Sequence, residues 1–584
     1  MSNLPNWDLS DLYSGINDPK ISEHLDNAQS SSDNLQRKYK GKIATLSGEE
    51  IADLILKYQD ISTKLGRVIT FAYLNFVTDM LDETRSGFYQ DCFEKVNTIS
   101  KSLIFLGLEL CDLSDEDFAE ALKSLKLQRF EPFLRDLRFG RKYNKSQEIE
   151  EVLHETSQTS SSAWSRFFDE FLAGLKFQMN DNEYSANEIF NFLSSHNAEE
   201  RKAASKAIGK TLNDNIKTFA FITNTLAKDK EIHDTIRNYE HPVKSRNVAN
   251  LIEDEVVNSL CDTVVRNYPD ISHKYYAYKA KLFGKDYLDY WDRNAPLPKS
   301  IDRKIPWAEA EEIVLTSYRK FSPQMADIAE LFFKNNWIDA AVTKGKDSGA
   351  FSHSATPDVH PYILLNYQGK TRDVMTLAHE LGHGIHQYLA REQGYLMAGT
   401  PLTFAETASI FGEQLTFKAL LERCKSNDEK QIMIAGKVED MINTIVRQIA
   451  FFEFEKRVHN ERRNGELSAQ ALGAIWLSVQ NESLGDAVML EEDYSNYWAY
   501  IPHFIHSPFY VYAYSFGNCL VNSLYETYKS GLPDFEAKYI DMLKSGGTRH
   551  HTELLKPFGL DATKDDFWQR GLNLVKEYID QLES

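Results

Sequence analysis

Cysteine is scarce in this chain of 584 residues: Cys92, Cys111, Cys261, Cys424 and Cys519 are scattered, odd in number and never spaced Cys-x-x-Cys. That pattern excludes a disulfide framework and a thiolate metal site, and predicts reduced, mostly buried thiols. No run of 18 or more apolar residues occurs, and Met1 to Pro19 hold no basic segment followed by an apolar one. A membrane span and a cleaved leader are therefore not predicted, and a soluble, cytoplasmic chain is. Basic residues are in the minority, 66 against 86 acidic, for a formal charge of −20. Nucleic acid and anionic membranes are thereby excluded as principal partners. No period of 20 to 50 residues recurs, against a solenoid, and Lys344 to Gly349 lack the Gly-x-x-x-x-Gly-Lys-Ser/Thr spacing of a phosphate loop.

The patterning that remains is helical. From about Ser31 to Ser157 helical repeats rich in Leu, Lys, Glu and Asp run with few Pro or Gly. Leu175 to Met179 followed by Asn180-Asp181-Asn182 reads as a short strand and turn. Pro296, Pro298 and Pro306 mark an extended linker before a helix opening at Trp307. Lys344 to Pro361 read as a long, mobile loop, and Tyr362 to Tyr367 as a short strand. These signals predict three contiguous parts: an N-terminal helical lobe over 1–160, a helical continuation with a β hairpin over 161–300, and a catalytic lobe over 301–584.

The chemistry is concentrated in His379-Glu380-Leu381-Gly382-His383. Val374, Leu377, Ala378, Leu381, Ile385, Tyr388 and Leu389 recur at helical spacing, so the two histidines should project from one face of a buried helix. Two imidazoles there can grip one metal ion, with Glu380 directed at a water on it, which is the arrangement for metal-assisted peptide hydrolysis. A third ligand is needed. A metzincin requires Gly and His three and six residues after the second histidine, where His386 and Leu389 stand. Glu406, on a helix following a return loop, is the expected ligand; alternatively Thr403 and Glu406 form a capping box. His386 lies seven residues after His379, about 10.5 Å along the axis, which suits a neighbouring or substrate-facing residue better than ligation. Glu413 shares the Glu406 face and is a candidate to accept a hydrogen bond from a ligand imidazole.

At these residues the sequence resembles the oligoendopeptidase F branch of the thimet oligopeptidase family of zinc metallopeptidases. The resemblance rests on Thr376 to His383, Phe404 to Ser409, Pro361 to Tyr367, Ile501 to Phe504, Pro508 to Tyr512 and the N-terminal Trp7 to Tyr13. It implies a mainly α, two-lobed zincin with a deep central channel and a small β element beside the zinc helix. It implies one zinc ion held by His379, His383 and Glu406, Glu380 as catalytic base, and short peptides as substrates. The tyrosine-rich segment is spaced differently from the thimet branch.

An oxyanion formed at the scissile carbonyl calls for a donor besides the metal. Ser507-Pro508 reads as an N-cap and first helical residue, which would set Tyr510 and Tyr514 one turn apart on one helix face. Tyr510 is the expected donor, His503 in the preceding loop would contact a substrate carbonyl or the same oxyanion, and Tyr512 should face away into packing. The strand Tyr362 to Tyr367 is expected to pair with an extended peptide, and His550-His551 to lie in a solvated loop. The resulting expectation is a zinc oligoendopeptidase. A zinc carboxypeptidase and a helical peptide-binding scaffold are the alternatives, with Glu380 speaking against the scaffold because a structural zinc site needs no base.

Overall fold

Amphipathic repeats and side-chain caps account for most of the architecture in the computed structural model, which describes residues 4–298 and 303–583. Gly48–Val77 shows how the helices arise. Ser47 and Glu50 form a reciprocal capping box, Glu49 and Glu50 complement the positive end, and Ile51, Leu54, Ile55, Ile61, Leu65 and Val68 bury one stripe. The fold is mainly α, and its strands are two or three residues long, in three small sheets among the described residues. The hairpin expected after Leu175 is present: Phe177–Met179 pairs antiparallel with Asn182–Tyr184, and Asn180 takes the left-handed conformation of the turn. Four cysteines are buried and Cys424 is half-buried. No helix among the described residues is long and apolar enough to cross a membrane.

Contacts group the chain into two compact units, each assembled from separated stretches. The first comprises Met1–Arg141, Asp302–Arg423 and Thr527–Leu560; the second comprises Lys142–Ile301, Cys424–Glu526 and Asp561–Ser584. This grouping differs from the contiguous division at 160 and 300. Local patterning marks where element types change, whereas the units are fixed by which distant segments return to pack together.

In the first unit, helices Pro19–Tyr39, Gly48–Val77 and Glu83–Lys101 pack on one another around a core that also takes in Tyr362 and Met397. A three-stranded sheet follows, in the spatial order Ile338–Asp339, Tyr362–Leu364, Phe351–His353. Its central strand is parallel to the first and antiparallel to the third. Both edges of Tyr362–Leu364 are thus occupied, so the main chain expected to receive a peptide is already paired, and on the outer strand Phe351–His353 the Ser352 carbonyl accepts from Gln387 Nε2 at 3.1 Å. The segment expected as a mobile loop is tied down at Lys346, whose buried ammonium donates to Asp339, Ala341 O and Leu365 O. His551, expected in a solvated loop, is buried as the first residue of helix His551–Leu555.

Candidate metal centre and active site

Helix Thr371–Ala390 forms where the sequence predicts it. Asp373 Oδ2 accepts from the backbone N–H groups of Gln368 and Lys370 at 2.8 and 2.9 Å, closing the N-terminus. Val374, Leu377, Ala378, Leu381, Ile385 and Leu389 are buried. The helix crosses Thr407–Glu422 at very close range, because a Cβ on Gly382 would stand 2.4 Å from Ala408 O and 2.5 Å from Ser409 Cα. A second close approach, Gly412 against the Tyr318 ring, lets the Tyr318 hydroxyl donate to Ala378 O at 2.8 Å. Glycine at these two positions sets the distance between the two ligand-bearing segments.

That crossing brings His379, His383 and Glu406 together, one ligand atom from each lying within 4.8 Å of the others, a group able to hold a metal ion. Each histidine Nε2 is 3.4 Å from Glu406 Oε2. Glu406 is not part of a capping box. Pro401 caps the short helix Leu402–Ala405, Thr403 lies inside it, and the chain breaks at Glu406 before resuming as Thr407–Glu422. The break aims the carboxylate at the histidines, and Ser409 Oγ steadies it with a 2.7 Å hydrogen bond. Burial opposes ionisation of Glu406, but the His383 hydrogen bond and the two nearby imidazoles outweigh it and hold the carboxyl down to about 2.

Glu413 occupies the predicted neighbouring position, 3.2 Å from His379 Nδ1. Burial disfavours a charged His379 ring, yet the Glu413 hydrogen bond and the charges of Glu406, Glu413 and Glu380 dominate and raise it to about 9. Glu380, 6% exposed, is pushed up chiefly by burial; the neighbouring imidazoles and the Ser352 N–H pull the other way. His386 is outside the ligand group. It is buried, its Nε2 lies 3.2 Å from Thr400 Oγ1, and burial followed by the His383 charge takes it down to about 3, leaving it neutral. With His383, His353 and Arg391 it lines a cavity of about 510 Å³.

His503, Tyr510 and Tyr514 belong to the second unit. The helix predicted from Ser507-Pro508 starts later than expected. His503–His506 form a single helical turn, Ser507 ends it, Phe509 adopts φ +61°, and the long helix runs Tyr512–Lys529. Tyr510 therefore sits in the turn ahead of the helix that carries Tyr514. The three side chains still cluster: His503 Nε2 is 3.2 Å from the Tyr514 hydroxyl, and the Tyr510 and Tyr514 rings meet edge-on at 5.3 Å. Tyr512 faces away as expected, buried, its hydroxyl accepting from Asn250 Nδ2 at 2.8 Å.

Comparison with known proteins shows the family of the chain. A profile of peptidase family M3 matches residues 191–574, and one of oligopeptidase F matches residues 109–177. The chain belongs to peptidase family M3. Among its relatives are oligopeptidase PepF of Bacillus subtilis, 27% identical over 94% of this chain and 82% of that one, and group B oligopeptidase PepB of Streptococcus agalactiae, 26% identical over 99% and 96%. Two solved structures share the fold: a Chlamydophila abortus protein, with TM-score 0.87 at 24% identity over 99% of this chain and 97% of that one, and oligoendopeptidase-F of Enterococcus faecium, with TM-score 0.70 at 20% identity over 97% of each. This M3 chain is accordingly a metallo-oligopeptidase, a hydrolase acting on peptides.

Several residues around the His379, His383 and Glu406 group escaped sequence reasoning. Ser352 supplies a backbone N–H to Glu380 and ties its strand to the His379 helix through Gln387 Oε1 at 2.8 Å. A three-residue strand, Phe-Ser-His, is too short to show alternation. Ser409 was visible only as a hydroxyl three residues after Glu406, a spacing at which Ser commonly bonds locally. Gly382 carried a packing signal that became specific only once its neighbour was known.

Proposed function

We propose that this chain is a zinc metalloendopeptidase hydrolysing internal bonds of short, unstructured oligopeptides. In this reading one zinc ion is held by His379, His383 and Glu406, and Glu380 is the base. The supporting observation is the convergence of two imidazole nitrogens and one carboxylate oxygen within 4.8 Å, with Glu380 buried on the same helix. Three such donors fit a catalytic zinc with one position left open. When bound, the ion polarises the scissile carbonyl and lowers the pKa of a water in its open position.

The remaining work falls to the chain's own side chains. Glu380, its basicity raised by burial, takes the proton from the attacking water and passes it to the departing amine. The Ser352 N–H orients that carboxylate. Tyr510 donates to the oxyanion, His503 contacts a substrate carbonyl, and Tyr514 positions His503 through their hydrogen bond. The restriction to short peptides is supported by the relatives' names, oligopeptidase and oligoendopeptidase.

Metal analysis combined with hydrolysis assays tests the whole reading. One zinc per chain, cleavage of an internally quenched peptide blocked at both ends, and no cleavage of an unfolded protein are expected. Complete dependence on a free terminal carboxylate would instead indicate a carboxypeptidase.

Two narrower results follow from Glu413 and His379. Glu413→Ala should weaken metal binding about 10- to 100-fold by releasing the His379 ring, measurable by chelator competition at constant far-UV circular dichroism. Metal loading should also be proton-linked. His379 without metal keeps its proton up to about pH 9, so loading at neutral pH displaces about one proton and apparent affinity climbs with pH, levelling off above about 9. Calorimetry in buffers of different ionisation enthalpy reads that proton directly; a buffer-independent heat contradicts it. The same raised pKa stabilises the metal-free fold in full below about 6.5, and that contribution fades as pH rises through about 9.

A further inference from the structure

The half-buried arginines of the first unit have carboxylate partners, with one exception. Arg67, Arg85, Arg135, Arg138, Arg141 and Arg549 each meet an aspartate at 2.6 to 3.7 Å. Arg391 meets no carboxylate among the described residues. Its guanidinium stacks on the Tyr388 ring, 3.6 Å from the centre, a contact that uses the face of the plane and leaves the N–H edge for another partner. Arg391 also lines the cavity of about 510 Å³ that takes in His383 of the metal group, with His353, Tyr395 and Thr400 among the other walls. All of these residues belong to the first unit.

The cavity is rich in donors and poor in negative charge. Ala355 takes the left-handed conformation, φ +54°, and its N–H donates to His353 Nδ1 at 3.0 Å. Burial holds that imidazole neutral, its pKa down at about 4, so the one ring proton is on Nε2. Neither His353 Nε2 nor the Tyr395 hydroxyl has a hydrogen-bond partner among the described residues. No Asp or Glu among the described residues lines the cavity, although the chain carries 86 of them and a net charge of −20. A guanidinium edge, an imidazole N–H and a phenol around a space without carboxylates suit a planar anion held by charge-assisted hydrogen bonds. His383 and Arg391 lie eight residues apart along helix Thr371–Ala390 and its continuation, about 12 Å along the axis. An extended peptide covers that span with about four residues.

We propose that this cavity is a subsite for a carboxylate of the peptide substrate, either its C-terminus or an acidic side chain, with Arg391 as the charged anchor and His353 and Tyr395 as further donors. The subsite rests on the peptidase reading above, through the His383 that the cavity and the metal group share. It gives this enzyme a preference for peptides that carry a carboxylate within a few residues of the bond cut.

Dissociation constants for fluorescent peptides, measured by anisotropy on the zinc-loaded Glu380→Gln protein, test the subsite. Four peptides of one length are used: a free C-terminus without acidic residues, its C-terminal amide, an amide carrying one Glu, and the same amide with Gln. Adding Arg391→Gln should weaken the carboxylate-bearing peptides about 10- to 100-fold and shift the neutral ones less than about twofold. Adding His353→Phe instead, which keeps a ring but removes the N–H, should weaken the same peptides about three- to tenfold. Loss confined to the free-terminus pair identifies the chain end; loss confined to the Glu and Gln pair identifies a side chain. Arg391→Lys, retaining charge without the fork, should fall in between, and it serves if Arg391→Gln does not fold. Equal affinity of the protein with Arg391 intact for charged and neutral peptides, or an equal loss for both on substitution, overturns the subsite while leaving the peptidase reading intact. No binding of any peptide, with no cleavage by the wild type, overturns both.

Discussion

Glu380→Gln is expected to lower kcat about 10²- to 10⁴-fold while zinc content stays at the wild-type level. The substitution keeps the volume of the side chain and an acceptor for the Ser352 N–H, so the helix and the three ligand residues have no reason to move. What disappears is the group able to take and return a proton. The corresponding loss of transition-state stabilisation is about 3 to 5 kcal/mol. Because burial raises the pKa of Glu380, the wild-type carboxylate is a stronger base than an exposed glutamate, and a neutral amide cannot replace it. Zinc-loaded variant protein that turns over a quenched peptide at the wild-type rate would remove Glu380 from the mechanism.

The second large effect is structural. Gly382→Ala should destabilise the protein by about 1 to 3 kcal/mol and weaken metal binding tenfold or more. A Cβ at Gly382 would lie 2.4 Å from Ala408 O, 2.6 Å from Ala408 C and 2.5 Å from Ser409 Cα. These are backbone atoms of a helix and cannot rotate aside, so helices Thr371–Ala390 and Thr407–Glu422 must separate. Separation carries Ser409 and Glu406 away from His379 and His383, which spoils a ligand set needing placement within a few tenths of an ångström. Gly436→Ala is the control. Nothing lies within 4 Å of the added methyl there, and the exchange inside helix Asn427–Thr444 should stabilise by up to about 1 kcal/mol. Denaturant unfolding with and without zinc compares the two variants; matching midpoints and zinc affinities would show that the helix crossing tolerates a methyl group.

The two histidines and Glu380 were legible because they lie on one long amphipathic helix, where a spacing of four residues fixes a shared face, whereas Glu406 was found by its type and its distance along the chain and stands at the break before the helix that carries Glu413. Chain breaks were harder to read. Ser507-Pro508 has the composition of a helix start, but the left-handed Phe509 delays the helix to Tyr512 and leaves Tyr510 in the preceding turn. Tyr362 to Tyr367 looked like a strand awaiting a partner because the two strands that already flank Tyr362–Leu364 are too short to register in sequence. Grouping into two units was hidden for a different reason: the return of Thr527–Leu560 to the first unit depends on contacts more than a hundred residues apart. Such contacts include the Tyr539 hydroxyl donating to Thr407 O.

The interleaving of the units has a consequence for synthesis. The Asp8 N–H is bonded to Asn336 O and Trp7 packs edge-on against Tyr362, so during synthesis these two residues wait for partners more than three hundred codons downstream. At about 5 to 20 residues per second that delay is roughly a quarter of a minute to a minute. Throughout it the nascent chain carries the apolar faces of its N-terminal helices without the sheet that completes their core, and needs a chaperone or its own provisional packing to remain productive.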